Sequence, residues 1–230
     1  MSKTSISKLI KIIAQILILM GILALLLFLP AGRWDWPQAW VLIIFLVVYF
    51  LLYAVIGIFQ DPEQTRERSQ MAANVKRWDK VIIWIYTALL PTVFIVAGFD
   101  WGRFRWSSVT IFIQVIAWIG LALAGALILW TVHTNTYLSR YARIQDDRHQ
   151  QVITSGPYRL VRHPMYLGIL VLFFCLGPAL GSLYALIPGL LIDVLFILRT
   201  AKEDKMLQAE LSGYQDYMKS VRYRLIPGLW

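Results

Sequence analysis

The chain has 230 residues, of which 59% are hydrophobic, 14% aromatic and only 15% charged, and its mean hydropathy is +0.63. No soluble domain of this size needs so much apolar surface, so the composition specifies an integral membrane protein. The formal net charge of +9 invites a nucleic-acid reading, but in a membrane protein basic loops are first a topology signal, and no nucleic-acid partner is expected.

In chain order, the first apolar segment covers 9–30. It follows Lys3 and Lys8 as a signal peptide would, yet Lys11 is its only charge and no small-residue cleavage site follows, so it reads as a retained span. Further apolar segments at 38–59, 81–99 and 109–133 each reach the ~20 residues that cross ~30 Å of hydrocarbon as a helix. Ten Trp and eleven Tyr suit anchoring at the bilayer interfaces. A polar block, 134–164, separates these segments from a last apolar stretch, 167–198, which is interrupted by "GPALGS" at 177–182 and by Pro188-Gly189. That pattern predicts a tight helical hairpin with arms of about sixteen residues, marginal as full spans unless they pack on other helices. The expected fold is all-α and integral to the membrane, with about six transmembrane segments, the last two a hairpin. Three spans fill an N-terminal unit, 1–108. A C-terminal unit, 109–230, holds the fourth span, the polar loop, the hairpin and a polar tail.

Basic residues set the orientation. Three Lys fall in 1–11, five Lys/Arg in 60–80, five Arg in 134–164 and six Lys/Arg in 199–230, against only Arg33, Arg103 and Arg105 on the other side. Both termini and the large polar segments are therefore expected in the cytoplasm. The single cysteine, Cys175, lies in an apolar run, and His133, His149 and His163 show no metal-ligand spacing, so neither a disulfide nor a metal is expected.

The densest polar chemistry is "TSGPYRLVRHPMYLG" at 154–168. Gly156-Pro157 forces a turn and His163-Pro164 a second break where the next helix starts, which holds Tyr158, Arg159, Arg162 and His163 on a short, stiff ledge at the membrane surface. Read alone, the ledge is either a site or a basic loop with Tyr and Arg at the headgroups. A second cluster, "RTAKEDKMLQ", follows the hairpin. Arg199 and Glu203 lie four apart on one helix face with Asp204 beside them, a spacing that also fits a surface salt bridge worth ~0.3–0.5 kcal/mol. Topology favours a site, because the hairpin returns the chain to the face it left and brings Arg199 and Glu203 near His163 and Tyr166. Asp193 is an acid inside the last arm, a position that marks functional candidates. His133 and Asn135 either line the same site or cap the fourth span.

These residues resemble the isoprenylcysteine carboxyl methyltransferase family, with part of the pattern shared by the related phospholipid methyltransferases. The resemblance rests on "SGPYRLVRHPMYLG", on "RTAKED" some thirty residues later and on "YQDYMKSVRYRLIP", and it covers about 120–230. It implies a helical membrane enzyme whose C-terminal half binds S-adenosylmethionine in a cytoplasmic pocket. The sequence agrees in having no G-x-G-x-x-G after a strand. By resemblance, cofactor contacts fall on Gln145, on a strand-like run Gln150, Gln151, Val152 and Ile153, on Tyr158, on His163, Pro164, Met165 and Tyr166, and on Glu203. Arg199 matches the family arginine that meets the acceptor's carboxylate, so Arg199 and Glu203 are the catalytic pair. The implied reaction is carboxyl methylation of an isoprenylcysteine-like or other lipid-like acceptor entering from the bilayer, with membrane lipids around it. Phospholipid or amine N-methylation is the alternative, in which an acid such as Asp204 or Asp193 gains a role.

The second acid of the family pattern is the shorter Asp204. The segment 118–132 also lacks the acidic and basic residues with which eukaryotic members face a prenylated protein. Its small residues, Gly120, Ala122, Ala124, Gly125 and Ala126, serve either close helix packing or an acyl or prenyl groove open to lipid. A nicotinamide-dependent sterol-type reductase shares a fragment of the motif but would want more basic residues near 145–165. A scaffold or transporter subunit would want polar residues along the spans, where only Lys11 and Asp193 are charged.

Overall fold

The computed structural model describes residues 3–59 and 75–230, and among them seven α-helices and no strands. Helices α1 (Lys3–Ala31), α2 (Pro37–Phe59), α3 (Arg77–Gly98) and α4 (Ile111–Thr134) coincide with the four apolar segments. Hydrocarbon offers no partner for backbone N–H and C=O groups, so a spanning segment must satisfy them within itself as a helix. All four are long and apolar enough to cross a bilayer. At most 28% of the residues in the most apolar stretch of any of them are buried, and the outward faces carry Leu, Ile, Val and Trp. Apolar exposure on this scale fits lipid, not water. The basic block at 60–80 lies in part, at 60–74, outside the described residues.

The hairpin forms, with arms unequal in a way the sequence did not suggest. Helix α5 (Pro164–Ala179) has 16 residues, whereas α6 (Leu186–Glu210) has 25 and runs past Leu198, where the continuous apolar stretch ends, into the polar cluster. Pro188-Gly189 does not break the second arm. Pro188 sits in the first turn of α6, where the N–H it lacks would have no intrahelical partner. The turn lies at 180–185 and uses Gly181 at φ +83°, a left-handed conformation that favours glycine. Short helix α7 (Tyr214–Ser220) and an extended tail complete the chain.

Helix α5 packs between α4 and α6, and α3 packs against both α1 and α6. Thus α3, from the N-terminal unit, runs beside the helix that carries Arg199 and Glu203. Of the small residues of α4, Gly120, Ala124 and Gly125 serve close packing, whereas Ala122 and Ala126 are exposed. A Cβ on Gly168 would lie 2.6 Å from Ile128 Cγ1 and 3.2 Å from the Ala124 carbonyl oxygen, and one on Gly120 would collide with Cys175 Sγ. At the hairpin-turn end, a π-helical turn, Phe99–Phe104, presents buried Asp100 to Ser107 (N–H and Oγ, 2.7 and 2.6 Å) and to Ser182 Oγ (2.5 Å). Beside it the Trp36 indole stacks on Trp101 at 4.9 Å and donates to the Leu180 carbonyl at 3.1 Å.

Candidate active site

The opposite end of the bundle opens into a cleft of about 790 Å3, its mouth included. Its walls are the loop after α4, the turn Gly156–Arg159, the first turn of α5, the polar half of α6 and helix α7. Apolar Met165, Met206 and Leu211 share the lining with polar groups, the composition of a small-molecule site.

The loop is woven on itself. Asn135, the C-cap of α4, accepts from the Tyr137 N–H at 2.9 Å and donates to the Tyr158 hydroxyl at 2.6 Å. Gln145 is buried behind the wall, donating to the Tyr137 carbonyl at 2.5 Å while its Oε1 accepts from Arg148 at 2.9 Å. Its own N–H donates to Gln150 Oε1 at 2.8 Å. Gln150, Gln151, Val152 and Ile153 then line the cleft in extended form without a strand partner, and the N–H groups of 151–153 have no partner among the described residues. Tyr158 lines the cleft from its turn, held by Tyr217, whose hydroxyl donates to the Tyr158 carbonyl at 2.7 Å. His133 is exposed.

The ledge ends at α5. His163, Met165 and Tyr166 line the cleft, and Pro164 occupies the first position of α5 without lining it. The His163 and Tyr166 rings stack at 5.8 Å, and the Tyr166 hydroxyl donates to Glu203, which lines the facing wall. So the hairpin does bring residues 37 apart together. Arg199 and Glu203 are not the exposed salt bridge that their spacing also allowed. Arg199 is 4% exposed and lies behind Tyr166, its guanidinium 5.3 Å from that ring. Its Nε and Nη2 donate to the two carboxylate oxygens of buried Asp79 in α3, at 2.7 and 3.2 Å.

Asp204 forms a buried hub. Arg162 donates to both its oxygens (2.9 and 3.2 Å), Arg224 Nε, the Tyr214 hydroxyl and Gln208 Nε2 each donate at 2.8 Å, and His163 Nε2 lies at 3.2 Å. Burial opposes its ionisation, but the hydrogen bonds from His163, Arg162 and Arg224 prevail and hold the carboxyl well below the usual carboxylate range. With both oxygens saturated, Asp204 has no free lone pair with which to act as a base. Burial, with Asp204 beside it, raises the Tyr214 phenol, and burial raises that of Tyr217, so both stay neutral donors. Arg162, expected on the surface ledge, points inward and also donates to the Val221 and Arg222 carbonyls, at 2.9 and 2.7 Å. Asp193 is buried in the hairpin with one oxygen unpartnered, and it does not line the cleft.

Sequence reasoning missed Asp79, Arg143, Tyr214 and Tyr217. Arg143 lines the cleft and lies 3.6 Å from Asp147. Asp79 carried one signal, an acid at the polar end of an apolar span.

Residues 113–212 match the family model for phospholipid methyltransferase. That stretch is similar to a family of membrane methyltransferases related to the isoprenylcysteine carboxyl methyltransferases, and it covers a little under half of the chain. It contains the cleft loop, the ledge, the hairpin and the Arg199–Asp204 cluster, but not Asp79 or the tail. A search of curated proteins finds no match.

Proposed function

We propose that the chain is a membrane methyltransferase that uses S-adenosylmethionine to methylate a lipophilic acceptor. The observation that carries this reading is the coincidence of the cleft with the family match over 113–212. The donor set fits the cofactor. Glu203 offers a half-buried carboxylate to a ribose diol or an ammonium, and Tyr158 offers an aromatic face to a sulfonium, while Tyr166 holds Glu203 through its hydroxyl. The unpartnered N–H groups of 151–153 suit adenine or carboxylate acceptors, and His163 at the start of α5 suits the amino-acid tail. Gln145 and Pro164 then act from behind, Gln145 by shaping the loop and Pro164 by starting α5. When bound, S-adenosylmethionine supplies an electrophilic methyl group. The chain's part is to orient the two reactants and exclude water, because an in-line transfer depends chiefly on positioning.

The basic-residue asymmetry supports a cleft on the cytoplasmic side, with the acceptor arriving from the bilayer. For the acceptor, the resemblance of the motifs favours a carboxylate of an isoprenylcysteine-like lipid, with Arg199 as its partner. In that case the acceptor shares the guanidinium with Asp79. An amine-bearing lipid is the second reading, and the observation that favours it is that Asp79 already engages both prongs of Arg199.

Calorimetric titration of the purified full chain with S-adenosylhomocysteine tests the cofactor. The wild type is expected to bind, and Glu203→Ala and Tyr158→Ala each to weaken binding by about tenfold or more. A folded wild type that binds none sinks the reading. Lipid extracts incubated with deuterated-methyl cofactor and read by mass spectrometry then separate carboxyl from amine acceptors.

A further inference from the structure

We infer that Asp79, in the first turn of α3 and outside the family match, is a positioning residue of the active site: it holds Arg199 and the cleft wall in register and so leaves Glu203 free to face the cleft. The inference rests on the methyltransferase reading for the identity of the ligand, while the geometry stands on its own.

Asp79 is fully buried. Its Oδ1 accepts from Arg199 Nε at 2.7 Å, and its Oδ2 accepts from Arg199 Nη2 at 3.2 Å and from the Ala142 N–H at 2.7 Å. The same Nη2 donates to the Arg140 carbonyl at 2.8 Å. Tyr141 and Ala142 line the cleft, so one carboxylate ties α3, α6 and the cleft wall together. Two further contacts run along the same seam: Lys76 with Glu210 at 2.7 Å, and Lys202 over the Trp78 ring at 5.9 Å.

The consequence reaches Glu203 through Arg199. A buried guanidinium must be paired. Glu203 stands one helical turn from Arg199 on the same face and already contributes to its electrostatic surroundings. With Asp79 neutralised, Glu203 is the acid within reach. Turning toward Arg199 takes it away from the Tyr166 hydroxyl and from the ligand. A purely structural Asp79 would instead lower stability and leave the affinity of the folded fraction unchanged.

Full-length protein in lipid nanodiscs provides the test, with S-adenosylhomocysteine titrated by calorimetry and amide exchange followed over 138–143. In Asp79→Asn the Kd is expected to rise by about tenfold or more, and exchange over 138–143 to quicken as the Ala142 N–H loses a charged acceptor. Adding Arg199→Gln removes the competing cation, so the double variant is expected to bind more tightly than Asp79→Asn alone. A wild-type Kd in Asp79→Asn, or a double variant no better than the single, overturns the inference. If Asp79→Asn does not fold, Asp79→Glu replaces it, keeping the charge while lengthening the arm. It is expected to raise Kd several-fold, and wild-type affinity with wild-type exchange in it is equally fatal. A wild type that binds no S-adenosylhomocysteine sinks the methyltransferase reading alone, and unchanged exchange over 138–143 then still overturns the positioning role.

Discussion

Asp204 shows how much a single carboxylate can organise once water is excluded. Two guanidiniums, a phenol, an amide and an imidazole converge on it, from the ledge, from α6 and α7 and from the tail. Removing the acid leaves Arg162 buried without its counter-charge, so Asp204→Ala is expected to destabilise the fold by about 3–5 kcal/mol, read by thermal unfolding in detergent. The sign of the pH dependence follows from the lowered carboxyl. Its stabilisation is fully present above the unfolded carboxylate value of about 3.9 and is lost as pH falls through the lower folded value. The gap in melting temperature between wild type and Asp204→Asn should hold from pH 7 to about pH 4 and narrow below it. The hub was not legible in the sequence. All its partners but Gln208 lie on other elements, up to 42 residues from Asp204, and only the packing of those elements shows that Arg162 turns inward instead of toward headgroups.

The helices themselves were legible, because hydrocarbon leaves a long apolar segment little choice of conformation. The hairpin was legible for the same reason, but not the length of its second arm, since Pro188-Gly189 reads as a break until its place in a first turn is known. Nor could spacing decide whether the small residues of α4 formed a groove or a seam. The structure places α5 against Gly120 and Ala124, and Gly168 gives a direct check. Gly168→Leu forces a side chain into Ile128 and the Ala124 carbonyl and is expected to cost about 1–3 kcal/mol by overpacking. Gly21→Ala in α1, where a Cβ meets nothing within 4 Å, is expected to leave thermal stability unchanged or to raise it. Equal losses in the two variants would rule out a tight α4–α5 seam.

At the scale of the whole molecule, charge asymmetry predicts which side each end occupies. In a Cys175→Ser background, Lys219→Cys should react with an impermeant maleimide only after membranes are opened, and Asp35→Cys should react in intact cells. Both sites are exposed, at 78% and 66% of their side chains. The reverse pattern would put the cleft outside the cell. Whole-molecule packing also explains why the N-terminal half looked undiagnostic. Its spans are apolar helices of a generic kind, and Asp79 acquires meaning only because α3 lies beside α6. The division at 108/109 follows sequence character, whereas the ion pair from Asp79 to Arg199 crosses it.

The hub around Asp204 also sets an order of events during synthesis. Its donors sit at 162, 163, 208, 214 and 224, so the last of them leaves the ribosome well after the spans have been made. Helices can enter the bilayer one after another as they are translated, but the set of donors around Asp204 is complete only when Arg224 joins the tail to the ledge and the hairpin. A nascent chain stalled just short of that residue would carry the whole lining of the cleft and lack one of the two guanidiniums that hold its hub.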